Sequence, residues 1–436
     1  MSQARFIVGD VFEVMASLPD GSVDLVLTSP PFLALRSYLP ADHPQKAKEI
    51  GSEPTPAAFL DTMLALTAEW RRVLAPHGSI AVELGDTYAG SGGAGGDYAE
   101  GGMREGQPKF RAGTPRWDGR PDGQIRTTTS DPVSYPVRGK EGWPLDKSLC
   151  LIPELYRIAL VYGFNPLTGR PTQPWRGRNV VRWCRPNPPV GALGDKVRPA
   201  TSDIVIACMG RTRYFDLDAV RTPAQGQSNY PSNGPKAAAR LEAGIDGEGR
   251  YGARIDSNPA GAPPLDHWWH DDVFDQDAWL IPTQPYKGAH YATWPEDLLI
   301  RPIEAMCPRK VCTVCGKPSE RITRLDGYTD HDGVLHPMGE KWASGVADGK
   351  GAHANKPGSR TTTTTTTTTG WTDCGHYSWR NGVCLDPFAG SGTTLAVAVG
   401  HGRDAIGIDL DARNADLARE RVGMFLTVEN TREGVA

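Results

Sequence analysis

Apolar positions along the chain fall into blocks of strand and helix pattern, separated by stretches that show neither. Phe6-Ile7-Val8 is a short apolar strand. Val23-Asp24-Leu25-Val26-Leu27-Thr28 is a second, a buried-type run that ends in Ser-Pro-Pro. Thr55-Pro56 then opens a helix in which Phe59, Leu60, Met63, Leu64, Leu66 and Trp70 keep a helical period. A Pro-His-Gly turn leads into the strand Gly78-Ser79-Ile80-Ala81-Val82. A helix is predicted near Ser148–Tyr162, with strands near Asn179–Trp183 and Ile204–Cys208. Gly382–Phe425 reads as strand, glycine loop, helix, strand, helix, which is half of a doubly wound sheet.

The intervening stretches differ in kind. Residues 89–145 are dominated by Gly, Pro, Arg, Ser and Thr and are expected to form a flexible insertion. Residues 221–265 are again rich in Gly and Pro. Ser344–Thr369 contains nine consecutive threonines, Thr361 to Thr369, expected to act as a low-complexity linker rather than a packed element. No internal repeat is present.

Composition narrows the class. With 436 residues, 39 % of them apolar, the chain is long enough for a large α/β domain with insertions or a second domain. No apolar run reaches the ~18–20 residues that span a bilayer. The start, Met1-Ser2-Gln3-Ala4-Arg5-Phe6, has no charged head followed by an apolar stretch, so a cytoplasmic protein with no membrane partner is expected. Net charge is −4, so a nucleic-acid site must be a local patch. The candidate lies between Gly169 and Arg213: Arg170, Arg176, Arg178, Arg182, Arg185, Lys196, Arg198, Arg211 and Arg213 face only Asp195 and Asp203. It reads as a phosphate-facing patch or as a solvated surface.

Two constellations carry chemistry. Asp386-Pro387-Phe388-Ala389-Gly390-Ser391-Gly392-Thr393-Thr394 follows the strand Val383-Cys384-Leu385 and opens a helix. Its glycines let the backbone turn sharply and approach a ligand. The next strand ends in Ile406-Gly407-Ile408-Asp409, which puts an acidic group where it can accept from ribose hydroxyls. No Gly-Lys-Ser/Thr occurs, which excludes a P-loop. The second constellation is Thr28-Ser29-Pro30-Pro31-Phe32. Its prolines fix the backbone with outward carbonyls, Ser29 adds a hydroxyl acceptor and Phe32 a flat apolar face, a set suited to gripping an amino group and stacking on its ring. Taken alone, the segment also reads as a rigid turn.

Together the two motifs resemble the catalytic and cofactor-binding motifs of bacterial and phage DNA amino-methyltransferases. Their order, catalytic first and cofactor loop near the C-terminus, resembles the circularly permuted beta class. Gly9-Asp10 with Leu18–Leu25, Val82–Tyr88, Arg182–Pro188 and His290-Tyr291-Ala292-Thr293-Trp294-Pro295 are similar to further family segments. The resemblance implies an α/β fold: a circularly permuted, Rossmann-like, seven-stranded methyltransferase sheet dependent on S-adenosylmethionine. It implies that Asp10, Thr28, His290, Thr293, Trp294, Pro295, Asp386, Pro387, Phe388, Gly390, Ser391, Gly392, Thr393 and Asp409 bind that cofactor. It implies catalysis by Ser29, Pro30, Pro31 and Phe32 on a base flipped out of double-stranded DNA. Phe32 would stack on the base, while Ser29 and the Pro30 carbonyl accept the two amino hydrogens and the methyl passes directly to nitrogen. No Pro-Cys pair is present, against the C5-cytosine mechanism.

In the family, Ser at position 29 is usual for N4-cytosine enzymes and Asp or Asn for N6-adenine enzymes, so N4 of cytosine is the expected target and N6 of adenine the alternative. A catalytically silent DNA-binding module and an RNA or small-molecule methyltransferase are readings from other classes. A cognate restriction endonuclease is an implied partner.

The chain has 8 cysteines. Cys150, Cys184 and Cys208 sit in apolar contexts and read as core. Cys312-Thr313-Val314-Cys315-Gly316 has the form of a zinc knuckle, and Cys374-Gly375-His376 completes four ligands for a structural zinc, with a metal-free loop as the alternative.

These readings divide the chain into the catalytic half (1–88), the flexible insertion (89–145), a continuation of the methyltransferase domain (146–220) and a target-recognition region (221–285). A cofactor-binding segment (286–308), a zinc-knuckle-like insertion with the threonine linker (309–380) and the cofactor-binding half (381–436) follow. The cluster His267-Trp268-Trp269-His270 reads as packing rather than as a metal or stacking site.

Overall fold

The computed structural model describes residues 2–35, 38–39, 42–89, 98–99, 103–104, 141–185, 200–220, 281, 294–329, 335–337 and 363–431. The chain divides into two compact units. One comprises Met1–Tyr214, Asp266–Arg309 and Asn381–Ala436, the other Phe215–Leu265 and Lys310–Arg380.

The first unit begins with β1 (Ala4–Val8), α1 (Val11–Ser17), β2 (Val23–Thr28), α2 (Pro56–Val73) and β3 (Leu74–Leu84). All six residues of β2 are buried, as expected of a strand covered on both faces of a parallel sheet. Thr55 caps α2, its hydroxyl accepting from Ala58 N at 3.2 Å, and Pro56 occupies the first turn, where a missing N–H costs nothing. The apolar stripe of α2 is buried as its period predicts, with Phe59, Leu60, Leu66 and Trp70 fully enclosed. A two-residue hairpin, β4 (Tyr98–Ala99) and β5 (Met103–Arg104), lies within the Gly-rich insertion. Next come α3 (Ile152–Tyr162), β6 (Arg176–Cys184), β7 (Thr201–Cys208) and α4 (Glu296–Met306).

The second unit holds β8 (Lys310–Cys312), β9 (Arg321–Thr329), β10 (Leu335–Pro337), β11 (Thr363–Trp371) and the first two residues of β12 (Trp379–Asn381). β13 (Val383–Asp386), α5 (Thr393–Gly400), β14 (Asp404–Asp409), α6 (Asn414–Val422) and β15 (Leu426–Asn430) then return to the first unit.

The main sheet has eight described strands, not seven, in the order β15-β1-β14-β13-β2-β3-β7-β6. The extra strand is the C-terminal β15, which pairs in parallel with β1. The six strands from β15 to β3 run parallel; β7 alone is reversed, antiparallel to both β3 and β6, so β6 runs in the same direction as the six. From β13 the chain winds through α5 to β14 on one side, and from β2 it winds through α2 to β3 on the other. The winding reverses between β13 and β2, where a doubly wound sheet opens a crevice beyond its carboxyl ends.

The threonine run is not a linker. Thr363–Trp371 is β11, paired antiparallel with β9 in a three-stranded sheet. β-branched side chains suit an extended, pleated backbone, and this outweighs low complexity. The helix predicted from Ser148 starts at Ile152, because Leu151 stands in a left-handed conformation at its N-cap. Cys150 and Cys208 are buried as expected, but Cys184 is only half-buried.

Candidate active site

The crevice is closed at its base by one buried hydrogen bond between residues 358 apart. Thr28, the last residue of β2, donates from Oγ1 to Asp386 Oδ1 at 2.7 Å. Asp386, the last residue of β13, also accepts from Phe388 N (3.1 Å) and Thr394 Oγ1 (2.6 Å). Its carboxyl is enclosed, and burial pushes its pKa up against the pull of Thr394, Thr28 and Phe388. One carboxylate therefore ties the Thr28–Phe32 segment to the glycine loop. Deeper in the sheet, buried Asp24 accepts from Val383 N at 2.7 Å and lies 2.9 Å from His77 Nε2, pinning the other ends of the same strands.

The glycine loop folds onto β14. Ala389 N donates to the Ile408 carbonyl (2.9 Å) and Gly390 N to Asp409 Oδ2 (2.8 Å). Gly392 has φ +76°, and a Cβ there would stand 2.9 Å from Ala418 Cβ on α6, so neither the backbone nor the space admits another residue. Thr393 and Thr394 are buried, and Arg421 reaches from α6 to the Thr393 hydroxyl. The Ser391 hydroxyl is buried with no partner among the described residues. Pro387 and Phe388 form the first turn of the loop, and Phe388 packs on the core.

Asp409 ends β14 and is held from three sides. Besides Gly390, it accepts from Asp411 N (2.8 Å) and Asn414 Nδ2 (3.0 Å) through Oδ1. Burial raises its carboxyl to about 6 in spite of these donors. Asp10 sits on the neighbouring strand end, where its Oδ1 caps α1 by accepting from Phe12 and Glu13 N at 3.1 Å. Gly9 N donates to the Asp409 carbonyl, so the ends of β1 and β14 are joined.

Ser29, Pro30, Pro31 and Phe32 leave β2 toward the crevice, Pro30 buried and the others half-buried. The Phe32 ring lies on Gly85, just beyond β3: a Cβ there would be 2.5 Å from Phe32 Cε2. Nothing within Val82–Tyr88 marks Gly85 as a site residue, since a glycine after a strand carries no signal of what lies against it. Pro295 is the N-cap of α4 and Trp294 is half-buried beside it, and α4 packs on β2, β3 and α5. His290, Thr293, the His267–His270 cluster, Lys196 and Arg198 lie outside the described residues.

Most described arginines of the Gly169–Arg213 segment face solvent: Arg170, Arg176, Arg178, Arg182 and Arg211 are exposed, and Arg185 and Arg213 are half-buried. Arg182 pairs with Asp203 at 3.1 Å, Arg185 lies 3.9 Å from Glu83, and burial lowers Arg213 to about 10. Buried carboxylates of the neighbouring strands lie against two of them, Arg182 and Arg185.

In the second unit, the ligand atoms of Cys312, Cys315, Cys374 and His376 all lie within 4.8 Å of one another. Cys312 Sγ accepts from Val314 N (3.4 Å) and Cys315 N (3.5 Å), and His376 Nδ1 is 3.5 Å from Cys312 Sγ and 3.4 Å from Cys374 Sγ. Burial works to raise the Cys312 thiol, but the Cys315 and Val314 N–H groups and the neighbouring thiols outweigh it and bring it to about 6.

The chain is 25 % identical over 218 residues to the type II methyltransferase M.SfiI of Streptomyces fimbriatus, a match covering 50 % of this chain and 39 % of that protein. It is 21 % identical to the type II methyltransferase M.SmaI of Serratia marcescens over 97 % of this chain and 91 % of that protein. The solved structure of the PvuII DNA methyltransferase (cytosine-N4-specific) aligns over 98 % of this chain and 95 % of its own, at 12 % identity and a TM-score of 0.40. A sequence profile of the DNA methylase family, the N6/N4 type, matches residues 23–312 and 375–420, more than half of the chain. With its glycine loop and its Ser-Pro-Pro-Phe segment joined at the switch point of the sheet, the chain belongs to the N6/N4 DNA methylase family.

Proposed function

We propose that this chain is an S-adenosylmethionine-dependent methyltransferase that modifies N4 of cytosine in double-stranded DNA. The observation that carries the reading is the Thr28–Asp386 hydrogen bond, which couples the Ser29–Phe32 segment to the glycine loop at the carboxyl ends of adjacent strands. Their order along the chain fits a circularly permuted sheet.

The residues suit the cofactor. The unpartnered, buried Ser391 hydroxyl and the open N-terminus of α5 offer polar groups to it, and Asp409 keeps lone-pair capacity for ribose hydroxyls. When bound, the cofactor supplies an electrophilic methyl group. Phe32 stacks on the flipped base against the Gly85 shelf. Ser29 Oγ and the Pro30 carbonyl would accept hydrogen bonds from the two amino hydrogens, orienting the nitrogen lone pair toward the methyl group, and the methylated amine would release one proton to solvent. Serine at position 29 is the ground for preferring cytosine.

Two accompanying assignments are proposed. The Cys312, Cys315, Cys374 and His376 set holds a structural zinc: three sulfurs and one imidazole nitrogen match a closed tetrahedral site in donor type and spacing. A restriction endonuclease of matching specificity is the proposed partner, because the relatives named above are type II methyltransferases.

The test is to incubate the protein with unmethylated DNA and S-adenosylmethionine, digest to nucleosides and identify the product by mass spectrometry. N4-methyldeoxycytidine is the expected product, reduced about 100-fold in rate by Ser29→Ala with cofactor affinity unchanged. N6-methyldeoxyadenosine would overturn the base assignment, and no methylated nucleoside would overturn the activity.

A further inference from the structure

A polar network crosses the sheet beside the Phe32 shelf and has no part in the chemistry above. Glu83, near the end of β3, is 3 % exposed. Its Oε1 accepts from Ser202 Oγ of β7 at 2.6 Å. Arg185, just past β6, donates from Nη1 to Ser202 Oγ at 3.3 Å and approaches Glu83 Oε1 at 3.9 Å. The Arg185 guanidinium also stacks on the buried Trp183 ring, 4.8 Å from its centre, and its backbone N–H donates to the Ala200 carbonyl at 2.7 Å. Three adjacent strands are thus stitched together by side chains on one face.

That face is the one on which Phe32 lies. Side chains alternate along a strand, so positions 83 and 85 point to the same side. The direction a Cβ of Gly85 would take is filled by the Phe32 ring. Ser202 stands opposite position 85, one step beyond the Leu84–Asp203 pair. Asp203, the next residue of β7, points to the other face, where it pairs with Arg182 and Arg157. Asp203 thus ties β7 to β6 and α3 on that other face, whereas Glu83 ties β3 to β7 on the face that carries the ring. Burying a carboxylate and a guanidinium is costly unless they are paired and hydrogen-bonded, so such a network is a weak source of net stability. An apolar pair would brace the strands as well, without fixing one arrangement of the shelf.

We infer that Glu83 is a positioning residue for Phe32, holding the end of β3 in place through Ser202 and Arg185 so that the ring keeps one orientation over Gly85. The assignment of Phe32 as the stacking ring rests on the proposed methyl transfer, but its placement does not, and the two are tested separately.

The experiment introduces 4-fluorophenylalanine at position 32 of the full chain and records the fluorine spectrum. One narrow resonance is expected in the parent. Glu83→Gln should shift it or split it into more than one, and Asp203→Asn, which cuts the brace on the opposite face, should leave it unchanged. Ser202→Ala removes only the bridging hydroxyl, and it carries the test should Glu83→Gln fail to fold. A resonance unaltered by loss of Glu83 or Ser202, or altered equally by Asp203→Asn, would overturn the inference. In methylation assays, Glu83→Gln should lower kcat about tenfold while cofactor affinity stays within twofold of the parent. Loss of cofactor affinity to the same degree would indicate general damage and overturn the positioning role. A parent that methylates no DNA would remove the proposed function and leave the fluorine result standing.

Discussion

A methyl group at position 85 would stand 2.5 Å from Phe32 Cε2 and 2.8 Å from Cδ2, far inside van der Waals contact. Gly85→Ala therefore has to displace the ring. Methyl transfer is expected to fall at least tenfold in single-turnover assays, with only a small change in melting temperature, because the residue lies at the edge of the core. Asp409 gives a pH dependence of defined sign. Burial holds its carboxyl at about 6, so between about pH 4 and pH 6 the folded chain keeps a proton that the unfolded chain has released. The contribution of this group to stability is thus present at low pH and lost as pH rises through 6. A ribose hydroxyl donating to Asp409 favours the ionised form, so cofactor affinity should strengthen from pH 5 to pH 7. Asp409→Asn should flatten that profile in calorimetric titrations. At this scale the sequence was informative about residue type and poor about contacts. Asp409 and Asp386 stood out at strand ends, but the local cap that Asp10 provides for α1 left no trace beyond its identity.

Elements were legible where they were long or buried on both faces. β2 announced itself because a central parallel strand is a continuous apolar run, and α2 because its eighteen residues repeat the helical period several times. α1, with seven residues, is too short for that period to register, and β15 has no fully buried position. The threonine run misled because its uniformity looks like a spacer, although each residue favours an extended backbone. The joining of β2 to β13 was least readable, since nothing local in Thr28 points to a carboxylate 358 residues away. Thr28→Val keeps the shape of the side chain and removes the donor, leaving Asp386 two partners instead of three. A loss of about 1–3 kcal/mol in denaturant unfolding is expected, with weaker cofactor binding because the loop begins at Asp386.

At the level of the whole molecule, two units of different construction share one chain. The family match is interrupted between residues 312 and 375, within the segment that carries the paired cysteines. A small unit, few of whose described apolar residues are enclosed, gains most from a metal. The purified protein is expected to carry about one zinc per chain. Its removal by chelator, or Cys315→Ser, should render Lys310–Arg380 sensitive to protease while cofactor affinity holds. Metal analysis and limited proteolysis check both halves, and protein free of zinc without prior chelation would contradict the assignment.

The pairing of β1 and β2 with strands from the far end of the chain also governs how the protein is made. Among the described residues, β1 pairs with β14 and β15 alone, and one edge of β2 is closed by β13 alone. On the ribosome these early strands emerge more than 350 residues before β13, β14 and β15. Throughout elongation they present unsatisfied backbone edges to any passing chain. A premature stop anywhere ahead of Val383 would release a nascent chain that cannot close its sheet, so partial products should aggregate or engage chaperones rather than act as soluble halves.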